Sequence, residues 1–175
     1  MTDQDTPGRA AVLTVSDRAA AGAFVDTAGP AVASMLREAG FDAADPDVLP
    51  DDLDAIAEWL SRQADEEGVA LAITAGGTGL TPRDQTPQAT ERVLDYRVEG
   101  LAEAMRAASI AIVSTAMLSR AVAGVRGRTL ILNLPGSERG ARENLEVVLP
   151  VLAHAVTQLR GDTEPSPPSG THGRG

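Results

Sequence analysis

Short apolar runs alternate along the chain with longer segments whose apolar residues recur every three or four positions. The runs at 10–16, 69–75 and 128–134 are mainly apolar and contain β-branched residues, which predicts buried strands. A weaker strand with polar interruptions is predicted at 41–49. A strand at 121–125 is expected to form a hairpin with the strand that begins at residue 128.

Helices are predicted where apolar residues share one face and capping residues stand at the ends. The expected helices cover 30–40, a segment from Asp51 or Asp52 to residue 68, a segment capped by Thr86 and continued by Pro87, 100–118, and 138–160. This order of strands and helices predicts an α/β domain. Its architecture is expected to be a three-layer α/β/α sandwich with a mainly parallel sheet and one antiparallel hairpin element.

The predicted domain covers residues 10–160. Residues 1–9 are polar and are expected to form a flexible N-terminus, while residues 161–175 are rich in Pro, Gly and Ser and are expected to form a disordered tail. The N-terminus lacks the apolar core of a signal peptide, and no apolar run is long enough to span a membrane. A cytoplasmic protein without a membrane partner is therefore expected.

Composition excludes several kinds of chemistry. The 175 residues include no cysteine and no lysine, so thiolate metal sites, a cysteine nucleophile and the lysine-containing P-loop are excluded. The net charge of −10 and the few aromatic residues argue against nucleic-acid binding. The charge is uneven, since residues 42–67 carry ten acids and one arginine, whereas residues 68–160 carry eight acids and ten arginines.

Small, polar and acidic residues follow several predicted strands at the point where each strand ends. In a parallel sheet these ends meet at one edge, where open α/β folds bind their ligands. Four chain-distant segments therefore contribute to one rim: Ser16 with Asp17, Asp51, the loop Gly76-Gly77-Thr78-Gly79 with Asp84, and Asn133 with Pro135, Gly136 and Ser137.

The residue types at this rim suit a phosphate ligand. Glycines let backbone N–H groups approach phosphate oxygens closely, and the helix N-termini near Thr86 and Glu138 favour anions. Asp51 and Asp84 could hold Mg²⁺ that bridges to phosphates. A magnesium-assisted phosphoryl or nucleotidyl transfer fits these parts.

Each of these features also has a purely structural interpretation. The glycine loop can be an ordinary turn, Asp51 and Ser137 can cap helices, and Asp84 can form a surface pair with Arg83. The arginines on and near the hairpin either form a solvated face or bind an anion: Arg120, Arg126 and Arg128.

Several motifs occur in uninterrupted order between residues 10 and 160: TVSDR (14–18), AGGTGLTPRDQTPQAT (75–90), AMLSRAVAGVRGRTLILNLPGS (116–137) and ENLEVVLPVLAHA (143–155). Their combination resembles the bacterial molybdopterin adenylyltransferases, whose domain also forms part of gephyrin-like eukaryotic proteins. Two positions depart from the family pattern, since Ala75 stands where threonine is usual and Gln88 stands where glutamate is common.

The resemblance implies a role in molybdenum cofactor biosynthesis, namely the Mg-ATP-dependent adenylylation of molybdopterin to adenylyl-molybdopterin and pyrophosphate. It implies that Asp51 and Asp84 are the catalytic carboxylates and hold Mg²⁺. It further implies a pocket for molybdopterin and nucleotide that includes Ser16, Asp17, Gly76, Gly77, Thr78, Gly79, Ser119, Asn133, Pro135, Gly136 and Ser137.

The same resemblance implies a homotrimer that takes molybdopterin and ATP as substrates and hands its product to a molybdate-inserting enzyme. The alternative is a molybdopterin-binding or carrier protein of the same fold that performs no catalysis. The two alternatives differ in one respect, because only the enzyme consumes ATP.

Overall fold

The computed structural model describes residues 6–161, so residues 1–5 of the predicted flexible N-terminus and residues 162–175 of the predicted tail lie outside the described part. The strands are β1 (Arg9–Val15), β2 (Asp42–Ala43), β3 (Asp47–Leu49), β4 (Leu71–Ala75), β5 (Tyr96–Arg97), β6 (Ala123–Arg126) and β7 (Thr129–Leu134). The helices are α1 (Asp17–Ala20), α2 (Ala28–Glu38), α3 (Leu53–Asp65), α4 (Thr86–Val93), α5 (Glu99–Ile110) and α6 (Glu138–Arg160), with a 3-10 helix at Ser114–Leu118.

The strands form one mixed sheet in the order β2-β1-β4-β7-β6-β5, and β3 also pairs with β1. The pairings of β1 with β2, β3 and β4, and of β4 with β7, are parallel, whereas β6 runs antiparallel to both β5 and β7. Thr14 lies opposite Ala75, and Ala75 lies opposite Leu134. The carboxyl ends of the three central strands therefore lie side by side.

Helices cover both faces of the sheet and bury two separate apolar clusters. On one face α2, α5 and α6 contribute side chains such as Leu36, Met105 and Leu145, and on the other α3 and α4 contribute Ile56 and Val93. Each cluster removes the apolar side of an amphipathic helix from water, which is the main source of its stability. This arrangement confirms the predicted three-layer α/β/α sandwich.

The strand predicted at 41–49 is interrupted. Its two ends form β2 and β3, which pair with different halves of β1, while Ala44, Asp45 and Pro46 between them leave the sheet. Proline has no N–H to donate to a neighbouring strand, so it breaks the pairing at this edge.

The helix predicted at 100–118 is also interrupted. Helix α5 ends at Ile110, and the chain continues into the 3-10 helix at Ser114–Leu118. The β-branched residues Ile110, Ile112 and Val113 together with Ser114 favour helix weakly, which accounts for the break. Within residues 6–161, no helix combines the length and the apolar character needed to cross a bilayer.

The predicted hairpin is present as β6 and β7, with Arg126 paired with Thr129 across a turn formed by Gly127 and Arg128. Because β7 runs parallel to β4, this turn lies at the amino ends of the parallel strands. The hairpin therefore brings Asn133 and Leu134, and not its own turn, to the carboxyl edge.

Candidate active site

The carboxyl edge of the sheet brings most of the predicted site residues together. Ser16 and Asp17 follow β1, Asp51 follows β3, and the glycine loop follows β4. Ser119 joins them because the backbone N–H of the next residue, Arg120, donates to the Thr78 carbonyl oxygen (3.0 Å).

Gly76 lies at the tightest point of this edge. Its φ of +113° is a conformation that residues with a side chain rarely adopt, and a Cβ added to it would collide with the Val15 carbonyl oxygen. Its N–H donates to the Leu134 carbonyl oxygen (3.0 Å), and a Cβ added to Gly136 would lie 3.2 Å from the Gly76 Cα. The loops after β1, β4 and β7 thus pack backbone against backbone.

Asp51 does not cap a helix, since that role belongs to its neighbour. Oδ1 of Asp52 accepts from the N–H of Ala55 (2.8 Å) at the start of α3. Oδ2 of Asp51 instead accepts from the N–H of Asp17 (3.1 Å), while the Asp51 N–H donates to Oδ1 of Asp17 (3.0 Å). These reciprocal bonds hold the carboxylate of Asp51 at the edge of the sheet.

Oδ1 of Asp51 faces the glycine loop, 3.0 Å from the position that a Cβ on Gly77 would take. Burial raises the pKa of the Asp51 carboxyl above its usual range, and the negative charges of Asp17 and Asp84 act in the same direction. The backbone N–H of Asp17 and the positive charge of Arg83 oppose this rise in pKa. A divalent cation beside this carboxylate would offset the cost of burying its charge.

Asp84 lies against the other end of the same loop. Its Oδ2 accepts from the N–H of Thr81 (2.8 Å) and lies 2.9 Å from the position that a Cβ on Gly79 would take. Among the hydrogen bonds of residues 6–161, none involves Oδ1 of Asp51 or Oδ1 of Asp84. Both carboxylates are therefore fixed through one oxygen and have the other available for a ligand.

This donor set fits Mg²⁺ bound together with phosphates. The part of the chain that the structure describes holds no group of three or more His, Cys, Asp or Glu side chains placed to bind a metal. Mg²⁺ commonly takes one or two carboxylates and completes its shell with water and substrate phosphates. Asp51 and Asp84 could supply those two carboxylates.

Asp17 and Arg83 form a two-pronged ion pair beside these carboxylates. The Nε of Arg83 donates to Oδ2 of Asp17 (2.9 Å), and its NH2 group donates to Oδ1 (2.7 Å). The Arg83 hydrogen bond and that from the backbone of Asp51 hold the pKa of Asp17 below its usual range. The Asp17 carboxylate therefore links its own loop to the backbone of Asp51 and to Arg83.

Arg120 holds the glycine loop and the Asp84 loop together, a role that the sequence did not indicate. Its Nε donates to the Gly79 carbonyl oxygen (2.8 Å), and its NH2 group donates to the carbonyl oxygen of Asp84 (2.5 Å). Arg106 fastens the same segment from α5, because it donates to the carbonyl oxygens of Ser119 (3.0 Å) and Ala121 (3.1 Å).

Arg126 and Arg128 lie away from the carboxyl edge, so the prediction that they could bind an anion at the glycine loop is wrong. Arg126 binds both carboxylate oxygens of Asp65 and the Val93 carbonyl oxygen. Arg128 lies beside Arg160 on a cavity of about 660 Å³ at the amino edge. The direction of β7 separates both residues from the glycine loop.

Two fully buried polar residues differ from their predicted roles. Asn133 donates through Nδ2 to the hydroxyls of Thr74 and Thr90 (2.9 Å each) and accepts from the N–H of Val122 (3.1 Å). It therefore supports the loops from within the core and does not line a pocket. Thr86 is the first residue of α4, but its hydroxyl makes no capping bond.

A cavity of about 260 Å³ adjoins the rim, between the loops after β1 and β7. Ser16, Gly136 and Ser137 line it as predicted members of the site, and Phe24 and Asp26 line it without having been predicted. The Ser137 hydroxyl also accepts from the N–H of Gly140 (3.2 Å), so Ser137 caps α6. The Arg18 guanidinium stacks 5.0 Å from the Phe24 ring centre, an interaction that a single sequence does not reveal.

The fold and this rim define an α/β domain whose ligand edge combines a glycine-rich loop with two available carboxylates. The sequence profile of the family described as "Probable molybdopterin binding domain" matches residues 11–154. The chain belongs to this family.

Named relatives agree with this assignment. A molybdopterin adenylyltransferase from Helicobacter pylori is 39% identical over 153 residues, which cover 86% of this chain and 87% of the relative. Gephyrin from Dictyostelium discoideum is 37% identical over 90% of this chain and 23% of its own length. The crystal structure of the molybdopterin biosynthesis enzyme MoaB from Thermus thermophilus superposes with a TM-score of 0.83 at 51% identity, covering 88% of this chain and 97% of that one. These relatives confirm the family resemblance of the motifs.

Proposed function

We propose that this chain is a molybdopterin adenylyltransferase that acts in molybdenum cofactor biosynthesis and uses Mg-ATP. The observation that carries the proposal is the pair of carboxylates at the glycine loop, each held by a backbone N–H and each with one oxygen available. Two carboxylates with available oxygens can hold the Mg²⁺ that a nucleotidyl transfer uses. The names of the similar proteins support the same reaction.

In the proposed reaction, an oxygen of the terminal phosphate of molybdopterin attacks the α-phosphorus of ATP. A phosphorus–oxygen bond forms to that oxygen, and the bond between the α-phosphorus and the oxygen that bridges to the β-phosphate breaks. The products are adenylyl-molybdopterin and pyrophosphate, so atoms and charge balance without an oxidant or a reductant.

The protein contributes mainly by positioning the two phosphates and the nucleotide. The glycine loop lets phosphate oxygens approach its backbone, while Arg120 keeps that loop and the Asp84 loop in a fixed relation. Asp51 and Asp84 hold Mg²⁺, which offsets negative charge on the phosphate oxygens when it is bound. The cavity beside Phe24 offers an apolar surface and polar neighbours to a flat heterocycle.

The direct test mixes the purified protein with molybdopterin and Mg-ATP and separates the products by chromatography. Formation of adenylyl-molybdopterin and pyrophosphate is expected. Binding of molybdopterin without consumption of ATP would instead establish the carrier alternative. A relative with demonstrated activity, assayed in parallel, shows that the substrate is intact.

We further infer a homotrimer, as the family resemblance implies. Several apolar side chains near the end of α5 are exposed, and an assembly would cover such a surface: Ile112, Val113, Met117 and Leu118. Light scattering that found only monomers at working concentration would contradict the trimer. The cytoplasmic location and the transfer of product to a molybdate-inserting enzyme stay predictions.

A further inference from the structure

The hydroxyl of Thr86 is unusual because it is buried without a partner. Thr86 is fully buried, and within residues 6–161 its Oγ1 is the one buried side-chain oxygen or nitrogen that makes no hydrogen bond. Buried hydroxyls in folded proteins are nearly always hydrogen-bonded, and those that are not require an explanation. Since Thr86 does not cap α4, helix capping does not supply one.

This hydroxyl points at the glycine loop and at Asp51. A Cβ added to Gly77 would collide with Oγ1 of Thr86 and would lie 3.0 Å from Oδ1 of Asp51. The two oxygens thus flank the same side of Gly77. Because residue 77 is a glycine, the space between Oγ1 of Thr86 and Oδ1 of Asp51 is open, and a larger residue at this position would fill it.

The backbone around Thr86 is fixed, so its hydroxyl is held in place. The N–H of Thr86 donates to the Gly77 carbonyl oxygen (3.2 Å), and its own carbonyl oxygen accepts from the Thr90 hydroxyl (2.9 Å). Thr90 in turn accepts from the buried side chain of Asn133 (2.9 Å). Burial restricts the side chain further, and rotation about the bond to the hydroxyl hydrogen then selects the acceptor.

The nearby acceptor without a partner is Oδ1 of Asp51. A carboxylate oxygen can only accept, and a hydroxyl that donates to it forms a charge-assisted hydrogen bond. The other oxygen of Asp51 is already bound by the N–H of Asp17. A bond from Thr86 would therefore fix the second oxygen, which keeps a lone pair for the metal, and with it the plane of the carboxylate.

We propose that Thr86 is a positioning residue of the adenylyl-transfer site, whose hydroxyl donates to Oδ1 of Asp51, directly or through one ordered water, when metal and phosphate are bound. This proposal rests on the proposed function, because it takes Asp51 as a ligand of the metal. Thr86 acts through Asp51 and is not itself a catalytic residue. Residues that orient metal ligands in this way typically change metal affinity by about 10–100-fold when they are removed.

The test compares Thr86→Ser with Thr86→Ala, because both variants lose the methyl group and only the second loses the hydroxyl. The probe is Mn²⁺ with α,β-methylene ATP, an analogue that cannot be cleaved at the reacting position, and the bound metal is measured by electron paramagnetic resonance. We expect Thr86→Ser to bind Mn²⁺ like the wild type and Thr86→Ala to bind it about 10-fold more weakly. In the full reaction, Thr86→Ala should lower kcat while the KM for molybdopterin changes little.

A matched control is available at the opposite edge of the sheet. The buried hydroxyl of Thr129 donates to the Val69 carbonyl oxygen (2.6 Å), so it has a structural partner. Thr129→Ala should lower the thermal midpoint and leave Mn²⁺ affinity unchanged. If Thr86→Ala and Thr86→Ser bind Mn²⁺ equally, or if Thr129→Ala weakens Mn²⁺ as much as Thr86→Ala, the proposal is wrong.

The Mn²⁺ measurement needs no molybdopterin, so the two proposals can fail separately. Wild-type protein that binds Mn²⁺ with the analogue but makes no adenylyl-molybdopterin overturns the proposed reaction alone. Wild-type protein that binds no Mn²⁺ overturns the role of Asp51 as a metal ligand and the Thr86 proposal with it.

Discussion

Asp51 and Asp84 at the carboxyl edge are held differently from Asp65 at the amino edge. At the carboxyl edge, Asp51 and Asp84 accept hydrogen bonds from backbone N–H groups, and burial raises the pKa of Asp51. At the amino edge, Asp65 binds the guanidinium of Arg126, whose hydrogen bonds hold the pKa of Asp65 below its usual range. A carboxylate with a bound arginine is already neutralised, whereas a carboxylate held by the backbone remains able to accept a cation.

Cavity size does not distinguish these edges in the same way. The larger cavity, of about 660 Å³, lies at the amino edge, where Arg9, Arg128 and Arg160 line it. The cavity at the carboxyl edge has about 260 Å³ and is lined by Ala75, which precedes the glycine loop, and by Ser16, Gly136 and Ser137. The residues grouped at each edge, and not the cavity volume, therefore identify the candidate site.

The largest expected effect is on catalysis. Asp84→Asn and Asp51→Asn each remove a negative charge that the proposed reaction needs, so the rate of adenylyl-molybdopterin formation should fall by about 10²–10³-fold. Chromatography of the product measures this rate. Asp65→Asn, the same change at the amino edge, should leave the rate unchanged, and an equal loss there would remove the distinction between the edges.

The next effect is on stability. Gly76→Ala forces a Cβ against the Val15 backbone at a φ of +113°. The free energy of unfolding, measured by urea denaturation, should therefore fall by about 3 kcal/mol, because overpacking and backbone strain each cost roughly 1–3 kcal/mol. Gly68 has a φ of +60° but no atom near the added Cβ. Gly68→Ala should cost only about 1 kcal/mol. An equal loss of unfolding free energy in the two variants would contradict the close approach of the loops at Gly76.

A smaller effect is expected from loosening the glycine loop. Arg120→Lys keeps the charge but loses the fork that binds the carbonyl oxygens of Gly79 and Asp84, so kcat/KM should fall by about 10-fold. Steady-state kinetics measures this change. Arg92 binds Asp54 on the surface of α4, so Arg92→Lys serves as the control and should have no effect on kcat/KM.

The smallest effect concerns the pH dependence of stability, and it has opposite signs for Asp51 and Asp65. A raised pKa means that folded Asp51 binds its proton more tightly than the unfolded chain does, so stability falls as pH rises through this range. At neutral pH, Asp51→Asn should therefore keep or raise the thermal midpoint. The lowered pKa of Asp65 contributes stability above its unfolded pKa that is lost as pH falls through the folded value. Asp65→Asn should lower the midpoint at neutral pH by circular dichroism, and a shift of the same sign in both variants would refute the contrast.

Much of the fold follows from local patterns. The apolar runs that became β1, β4 and β7 are buried on both faces, and such runs predict central parallel strands. The rim followed from the topology, because the loops after these strands must meet at one edge. Pro46 and the β-branched residues near Ile110 mark the two interrupted elements, although only the tertiary structure decides how each break is accommodated.

Long-range polar contacts could not be predicted from the sequence. Asn133 stands next to the predicted rim, but the register of β7 directs its side chain inward to Thr74 and Thr90. Arg120 and Arg126 are both arginines near the hairpin, yet one holds the glycine loop and the other binds Asp65 at the far edge. Such differences depend on side-chain direction across the sheet, which composition and spacing do not encode.

The shared contacts of Asp17 make three loops mutually dependent. Oδ1 of Asp17 accepts both from the N–H of Asp51 (3.0 Å) and from Arg83 (2.7 Å), so one side chain serves the ends of β1 and β3 and the loop before α4. Substitutions of neighbours in such a network do not contribute independently to the free energy of unfolding. The effect of a substitution in any one of these three loops is therefore expected to depend on the residues present in the other two.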